Sequence, residues 1–587
     1  MESNSNQTYK WGLALLFFLC LLSFFLFLGE TVFNTRGEPR EAIVAYSMLE
    51  HGNWVLPINN GDEIAFKPPF LHWCIAAIST LTGGITEYTS RIPSALSTTL
   101  MILAGFLFYA RRRNFEVAFL MGLITLTNFE VHRAAYACRV DMLLSALIVL
   151  ALYALYRWIE QDMKGLPWLA WALMAGAALT KGPVGVILPC GVAGAYLLLR
   201  GHNFFKLFLR FGILAIAALL PLFAWYFAAY HEPHGGERFL QLIYEENILR
   251  FTGGMTYASH INPWYYNVMT VVTGLVPYTL VVLLALPFCW KYIRAAFTRE
   301  SLKNFFTFKS FRSMDNLELY SLLSFLVIFI FYCIPASKRS VYLLPIYPFL
   351  AYFLAEFILW VRQEHKGVLS IFGHIFAGAA VLLSLVFGLV RMGVVPEDIF
   401  SGKHAAENQA YLHALHTSPL GFMDIIVILL PLFAAMYFWG HRNKNTKTVA
   451  EDAPLLPYRV IAIVFCIFLA LDGFYQPTVL NTKSDKDIAQ RIEKIVPEGK
   501  LYSYRSAFLA ANRMHPFTIN FYLNDRVIPI DKAEKAPAEG YMIVSGKSIE
   551  KFGTDYPQYE YEFLFKSNKR SCDDREPVSF YHFKMKE

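Results

Sequence analysis

The stretch Arg36-Gly-Glu-Pro-Arg-Glu-Ala42 follows directly on an apolar run that ends near Phe33. Its carboxylates could take or orient a proton, and its guanidinium groups could hold an anion. Similar isolated charges recur beside later apolar runs: Lys67 before Pro68-Pro69, Arg139 and Asp141 in "CRVDMLL", Lys181 in "LTKGPVG", and Lys338 in "SKRSVYLLPIYP" with Tyr342 four residues on. Lysines and arginines set close to apolar segments make an anion site, because a desolvated cation attracts phosphate or carboxylate far more strongly than one in water. Simpler roles compete for each residue. Glu41 serves equally well as a helix-end acid, Lys67 as a snorkelling side chain and Tyr342 as a member of an interfacial aromatic belt.

The elements that must position these groups are membrane helices. The chain has 587 residues, 56% of them hydrophobic and only 17% charged, outside the range of soluble globular proteins. Apolar runs at 11–33, 92–110, 115–129, 140–156, 166–179, 184–199, 211–230, 263–290, 317–334, 341–361, 368–390, 421–439 and 458–474 predict about thirteen spans. The first is too long for a signal-peptide core and lacks a cleavage pattern, so it reads as an uncleaved span. Every second loop is basic, as at Arg111-Arg112-Arg113, Lys291 through Arg312 and Arg442 through Lys447, which predicts a cytoplasmic N-terminus. An odd number of spans then places residues 476–587 outside, as a small α/β domain following a transmembrane domain over 1–475. Seven of the eight cysteines lie in or beside apolar runs, so no disulfide framework is expected. The net charge of +7 is accounted for by the inner loops and implies no nucleic acid partner. No glycine-rich phosphate loop and no metal-spaced Cys/His cluster is present in the sequence.

With that topology Arg36, Glu38, Arg40, Glu41, Lys67, Arg91, Arg133, Arg139, Asp141, Lys181, Lys338 and Arg339 all fall on the outer side. A transporter would more naturally keep its ionisable groups near the midplane. Cations gathered at one face suit an anionic lipid headgroup, such as a phosphate on a long isoprenoid. Pro39 suits a first helical position, with Glu38 at the cap and Gly52 as the stop, so 38–49 reads as an interfacial helix. Pro68 and Pro69 lead into a second helix over 71–81, with Lys67 beside its N-terminus. Interfacial helices are expected within 34–90 and 231–262.

Residues Gly37 to Trp73, "GEPREAIVAYSMLEHGNWVLPINNGDEIAFKPPFLHW", resemble the first outer loop of the bacterial aminoarabinose transferases of lipid A, which belong with the protein O-mannosyltransferases among the GT-C glycosyltransferases. Gly37-Glu38-Pro39-Arg40 stands where that family has an Asp-Glu-x-Arg motif, Gly52-Asn53-Trp54 where it has a turn, and Lys67-Pro68 where it has a Lys-Pro pair. The motifs around Asp141, Lys181 and Lys338 with Tyr342 follow in order. The resemblance implies a polytopic GT-C membrane fold, and an inverting transferase that moves a sugar from a polyprenyl-phosphate donor to a glycolipid such as lipid A at the outer face of a bacterial cytoplasmic membrane. A protein acceptor and a lipid-linked glycan flippase are the alternatives. By the same resemblance Glu38 and Asp141 are the catalytic carboxylates, and Arg40, Lys67, Arg139, Lys181, Lys338 and Tyr342 bind substrate. The family's aspartate falls on Gly37, and its acid before Lys-Pro falls on Phe66. The second change leaves His260 in "SHINPWYY" without a metal partner. The sequence requires no cofactor, and whether a divalent metal binds stays open.

Overall fold

The computed structural model describes residues 2–233, 235–249, 252, 261–441, 453–504, 514–530, 536–546 and 548–586. The first ten α-helices are α1 (Glu2–Phe24), α2 (Pro39–His51), α3 (Phe70–Thr82), α4 (Glu87–Ala110), α5 (Phe115–Leu126), α6 (Phe129–Ala135), α7 (Val140–Glu160), α8 (Trp168–Lys181), α9 (Val184–Leu199) and α10 (Phe204–Tyr230). Among the described residues ten helices are long and apolar enough to cross a bilayer, against about thirteen expected. The other three expected runs are α5, α8 and α9, with 12, 14 and 16 residues. At about 1.5 Å per residue they fall short of a hydrocarbon core of about 30 Å. Neighbouring helices enclose α5, which is buried from Val117 to Leu126. The lipid-facing side is plain on α10, where Phe205, Phe208 and Phe227 are all exposed. Polar groups inside the bundle find partners: Tyr109 shares a hydrogen bond with Ser321 at 2.8 Å, and the Tyr320 hydroxyl donates to the Leu152 carbonyl at 2.8 Å.

Between α1 and α4 the chain forms the two expected outer helices. The first ends at Gly52, whose φ of +71° and N–H bond to the Met48 carbonyl close the helix as its sequence position foretold. A two-residue hairpin, β1 (Ile58–Asn59) with β2 (Glu63–Ile64), separates α2 from α3. Past α10, the helix Gly236–Tyr244 runs on into a π turn at Glu245–Leu249. The last span continues through Leu456–Lys483 and contains a π turn at Leu471–Tyr475. There the buried Asp472 meets His132 of α6 at 2.6 Å and accepts a hydrogen bond from Gln476 at 3.0 Å, so the final span is tied to the helix that leads into the Arg139 turn.

The C-terminal region is a five-stranded sheet in the order β4-β3-β5-β7-β6, from β3 (Leu501–Tyr504), β4 (Val527–Ile530), β5 (Glu539–Ser545), β6 (Tyr559–Arg570) and β7 (Pro577–Met585). Strands β4, β3 and β5 are parallel, and β7 and β6 add antiparallel to β5. The sheet region rests on the segments between α1 and α4. Phe521 packs on Phe33 at 4.9 Å, the Tyr522 hydroxyl donates to Glu87 at 2.6 Å, and Asp525 accepts from the Asn60 N–H at 2.7 Å.

This seam carries a pH dependence. Burial pushes the Asp525 carboxyl up to about 7, against the hydrogen bonds from Asn60 and Asn520. Burial likewise pushes Asp485 up to about 6. Each holds a proton in the folded chain that the unfolded chain has released above about pH 4, so stability falls as pH rises from there through the folded value. The thermal midpoint in detergent is expected to fall between about pH 5 and pH 8. Asp525→Asn should flatten the upper half of that fall, and an unchanged slope would remove Asp525 as its source.

Candidate active site

The turn that starts α2 is held from three sides. Glu38 sits at the N-cap position but makes no capping bond; its carboxylate receives Nε and Nη2 of Arg91 at 2.8 and 3.1 Å and the Cys138 N–H at 3.0 Å. Arg91 enters on the first turn of α4 and also donates to the carbonyls of Leu28 and Thr31 at 3.0 and 2.5 Å. Burial alone would raise the Glu38 carboxyl, but the Arg91 charge, these hydrogen bonds and the nearby Arg139 hold it below the usual range. Its charge is therefore matched mainly by Arg91.

Gly37 explains itself in the same turn. A Cβ built there would lie 2.2 Å from Nη2 of Arg139, so the guanidinium occupies the space that any side chain at 37 would need. Arg139 precedes α7 in extended conformation, and no carboxylate pairs with it among the described residues. Two residues on, Asp141 lies in the first turn of α7, where the helix dipole favours an anion. It forms an ion pair with Lys181, the last residue of α8. The motif around Lys181 is built for this placement. Gly182 takes φ +87° to end α8, and Gly185 lets α9 approach so closely that a Cβ would meet the Ala177 carbonyl carbon at 2.6 Å. The Lys181 ammonium lies 4.2 Å from the centre of the Tyr342 ring, which stacks on Tyr332 at 5.4 Å. Arg339 brings a second guanidinium near Asp141. Lys338 is used differently: it is buried and donates to the carbonyls of Pro335 and Asn262 at 2.9 and 3.4 Å, pinning the loop that carries Arg339 and Tyr342.

The other side of α2 faces a second set. Arg40 meets Glu63 of the hairpin at 3.0 Å and lies 5.7 Å from the Phe517 ring of the C-terminal region. Glu41 is buried between Lys67, with which it forms an ion pair, and His72 of α3 at 3.0 Å. Burial works against its charge, but Lys67, His72 and Arg40 hold the carboxyl far below its usual range. These groups line a cleft together with Phe66. Nδ1 of His72 is buried without a partner among the described residues. Among the described residues no three histidine, cysteine, aspartate or glutamate side chains are arranged to hold a metal ion, and His260 lies outside those residues.

Every expected site residue therefore lies on or next to the α2 turn or the Asp141–Lys181 pair, with Lys338 in a supporting position. Arg91, Glu63, His72 and Arg339 had no assigned role in the sequence. Arg91 and Arg339 carried a legible signal, each a basic residue just before an apolar run. Removal of Arg91 should be costly: Arg91→Met strands Glu38 without its partner, and a loss of about 3–5 kcal/mol is expected, read as a large fall in thermal midpoint. Arg91→Met,Glu38→Gln should recover much of it; no recovery would show that Arg91 acts through its carbonyl contacts instead.

The family model of dolichyl-phosphate-mannose-protein mannosyltransferases matches residues 66–227. An undecaprenyl phosphate-alpha-4-amino-4-deoxy-L-arabinose arabinosyl transferase of Pseudomonas fluorescens is 27% identical over 77% of this chain and 77% of its own length. Its counterpart in Proteus mirabilis is 28% identical over 66% of this chain and 67% of its own length. The crystal structure of ArnT from Cupriavidus metallidurans bound to undecaprenyl phosphate superposes with a TM-score of 0.67, covering 97% of each chain at 20% identity, and so shares the fold. In fold and in sequence, the chain resembles the aminoarabinose transferases among the GT-C glycosyltransferases.

Proposed function

We propose that this membrane protein transfers a sugar from a polyprenyl-phosphate donor to a phosphate group of lipid A or a related glycolipid, at the outer face of the cytoplasmic membrane. The observation that carries the reading is the Arg139 guanidinium, unpaired by any described carboxylate, set against Gly37 and near Asp141. The related enzymes named for undecaprenyl phosphate-aminoarabinose, and the ArnT structure bound to undecaprenyl phosphate, support the donor class.

In this reading the bond between the anomeric carbon and the polyprenyl phosphate oxygen breaks, and its electron pair stays with the phosphate. Arg139, Arg339 and Lys181 stabilise that growing charge at a site where little water competes. Tyr342 holds the Lys181 ammonium in place and offers its hydroxyl to the phosphate or the sugar. Arg40 and Lys67, on the far side of the same turn, meet the acceptor. An acceptor oxygen forms the new bond on the opposite face of the sugar, which inverts the anomeric carbon. A phosphate oxygen is already anionic and needs no base. That suits a site where Glu38 is matched by Arg91 and Asp141 by Lys181. A protein hydroxyl would have to lose a proton to one of these paired carboxylates, so this geometry favours the glycolipid over the protein acceptor. Glu38 and Asp141 then act by fixing the cations around them.

Turnover of a polyprenyl-phosphate sugar in detergent, with no sealed compartment, is the test. A transferase consumes donor only with acceptor present, whereas a flippase consumes none. Arg139→Met is expected to lower turnover by about 10²–10³-fold with the thermal midpoint nearly unchanged. With a phosphate acceptor, kcat/KM should fall only below about pH 6, where a phosphate monoester takes up its second proton, and Glu38→Gln should keep that profile. A folded Glu38→Gln protein that is inactive at every pH would restore Glu38 as the base.

The same reading places residues 476–587 outside the cytoplasm, as an extracytoplasmic domain above the transmembrane part. Glu498→Cys should react with an impermeant thiol reagent on intact spheroplasts. Reaction only after lysis would reverse the orientation and with it the side on which transfer occurs.

A further inference from the structure

The C-terminal sheet contains a cleft that none of the chemistry above uses. Strand β3 lies between its parallel neighbours β4 and β5; the connection after β3 leads to β4 at one edge and the connection after β5 leads to β6 at the other, so the two leave neighbouring carboxyl ends toward opposite sides. In open α/β sheets a crevice at such a divergence is where ligands bind. Here the cleft lies at the carboxyl ends of β3 and β5. Its polar lining includes Ser503, His515, Ser545, Ser571, Asp573 and Asp574.

Three features give it chemical character. Ser503 is 3% exposed and its hydroxyl has no hydrogen-bond partner among the described residues, which is costly in a buried position unless something else supplies the bond. Asp573 accepts from the Thr518 N–H and hydroxyl, both at 2.9 Å, one bond to each oxygen. Asp574 accepts from the Glu576 N–H at 2.9 Å and from the Ser545 hydroxyl, again one to each oxygen. A carboxylate oxygen can take two hydrogen bonds, so both acids keep capacity for a ligand's donors. Burial pushes both carboxyls up, with the neighbouring Asp485 adding to the rise at Asp573. The cleft is rich in hydroxyl and carboxyl oxygens. It does not suit an anion, and no described trio of side chains is arranged for a metal. It matches the hydroxyl and amino donors of a saccharide.

The cleft also adjoins the acceptor side of the α2 turn. His515, part of its wall, faces Glu63 at 3.8 Å and Asp62 at 3.9 Å, and Glu63 in turn holds Arg40. We infer that this cleft is a saccharide subsite that holds the sugar portion of the acceptor while its phosphate is at the site of transfer. The inference rests on the glycolipid acceptor proposed above. It gives the sheet region a direct part in choosing the acceptor.

Ser503→Ala is the clean probe, because a hydroxyl with no partner in the free protein can be removed without loss of a native hydrogen bond. Turnover by the full-length protein is compared with two acceptors, a phosphorylated disaccharide glycolipid and dodecyl phosphate, which has no sugar. Ser503→Ala and Asp574→Asn are each expected to raise KM for the glycolipid by about 3- to 10-fold, leave its kcat unchanged, and leave dodecyl phosphate unaffected. An unchanged KM for the glycolipid in both variants overturns the subsite, as does an equal rise for both acceptors. Saturation-transfer NMR with the free disaccharide and the full-length protein separates this from the transferase reading. A signal in the wild type that Ser503→Ala weakens supports the subsite even if no donor is consumed. No signal in the wild type overturns it even if donor is consumed.

Discussion

The contact between Glu38 and Arg91 is the one on which the half of the molecule around α2 depends. Arg91 uses its guanidinium to join four pieces of chain: the end of the first span through Leu28 and Thr31, the start of α2 through Glu38, α4 by its own position, and the Cys138 turn through the shared carboxylate. A buried ion pair contributes little net stability over an apolar substitute, because both charges must be desolvated. What it supplies is geometry. It sets the α2 turn at one height and angle, and that alone brings Gly37 up against Arg139.

Around this joint the charges are matched one by one: Arg40 with Glu63, Lys67 with Glu41, Lys181 with Asp141. Each match removes a carboxylate from the pool that could act as a free base and fixes a cation in one orientation. Arg139 and Arg339 are the guanidinium groups near Asp141 for which no described carboxylate forms an ion pair. Positive charge held in place before a substrate arrives does not have to reorganise when negative charge develops. The acidic residues of this surface are therefore better understood as the frame that aims the basic ones.

Much of this was legible in the sequence, for reasons that differ by element. Helix α2 could be read because Pro39 and Gly52 act locally, through a fixed φ and a left-handed stop. The span count was less legible, since α5, α8 and α9 are as apolar as their neighbours and differ in being shorter, with 12, 14 and 16 residues, and helix ends are poorly marked inside apolar runs. The ionic partners were hidden for a third reason. Glu38 meets a residue 53 positions away, and Asp141 one 40 positions away, and no local rule relates such pairs. Gly37 was the most deceptive position, appearing in sequence as a missing acid and in space as room left for a guanidinium.

The seam between the outer loops and the C-terminal sheet has a consequence in time. Asn60 and Asp525 are 465 residues apart, and Val32 and Asn481 are 449 apart, yet both pairs are hydrogen-bonded. At ribosomal speeds of roughly 5–20 residues per second, the outer loops wait on the order of half a minute or more for these partners to be made. During that interval the acids and bases around α2 lie next to the bilayer without their final cover. The pairs Glu38–Arg91, Glu41–Lys67 and Asp141–Lys181 lie within the first 181 residues, so both partners of each are made long before the C-terminal sheet.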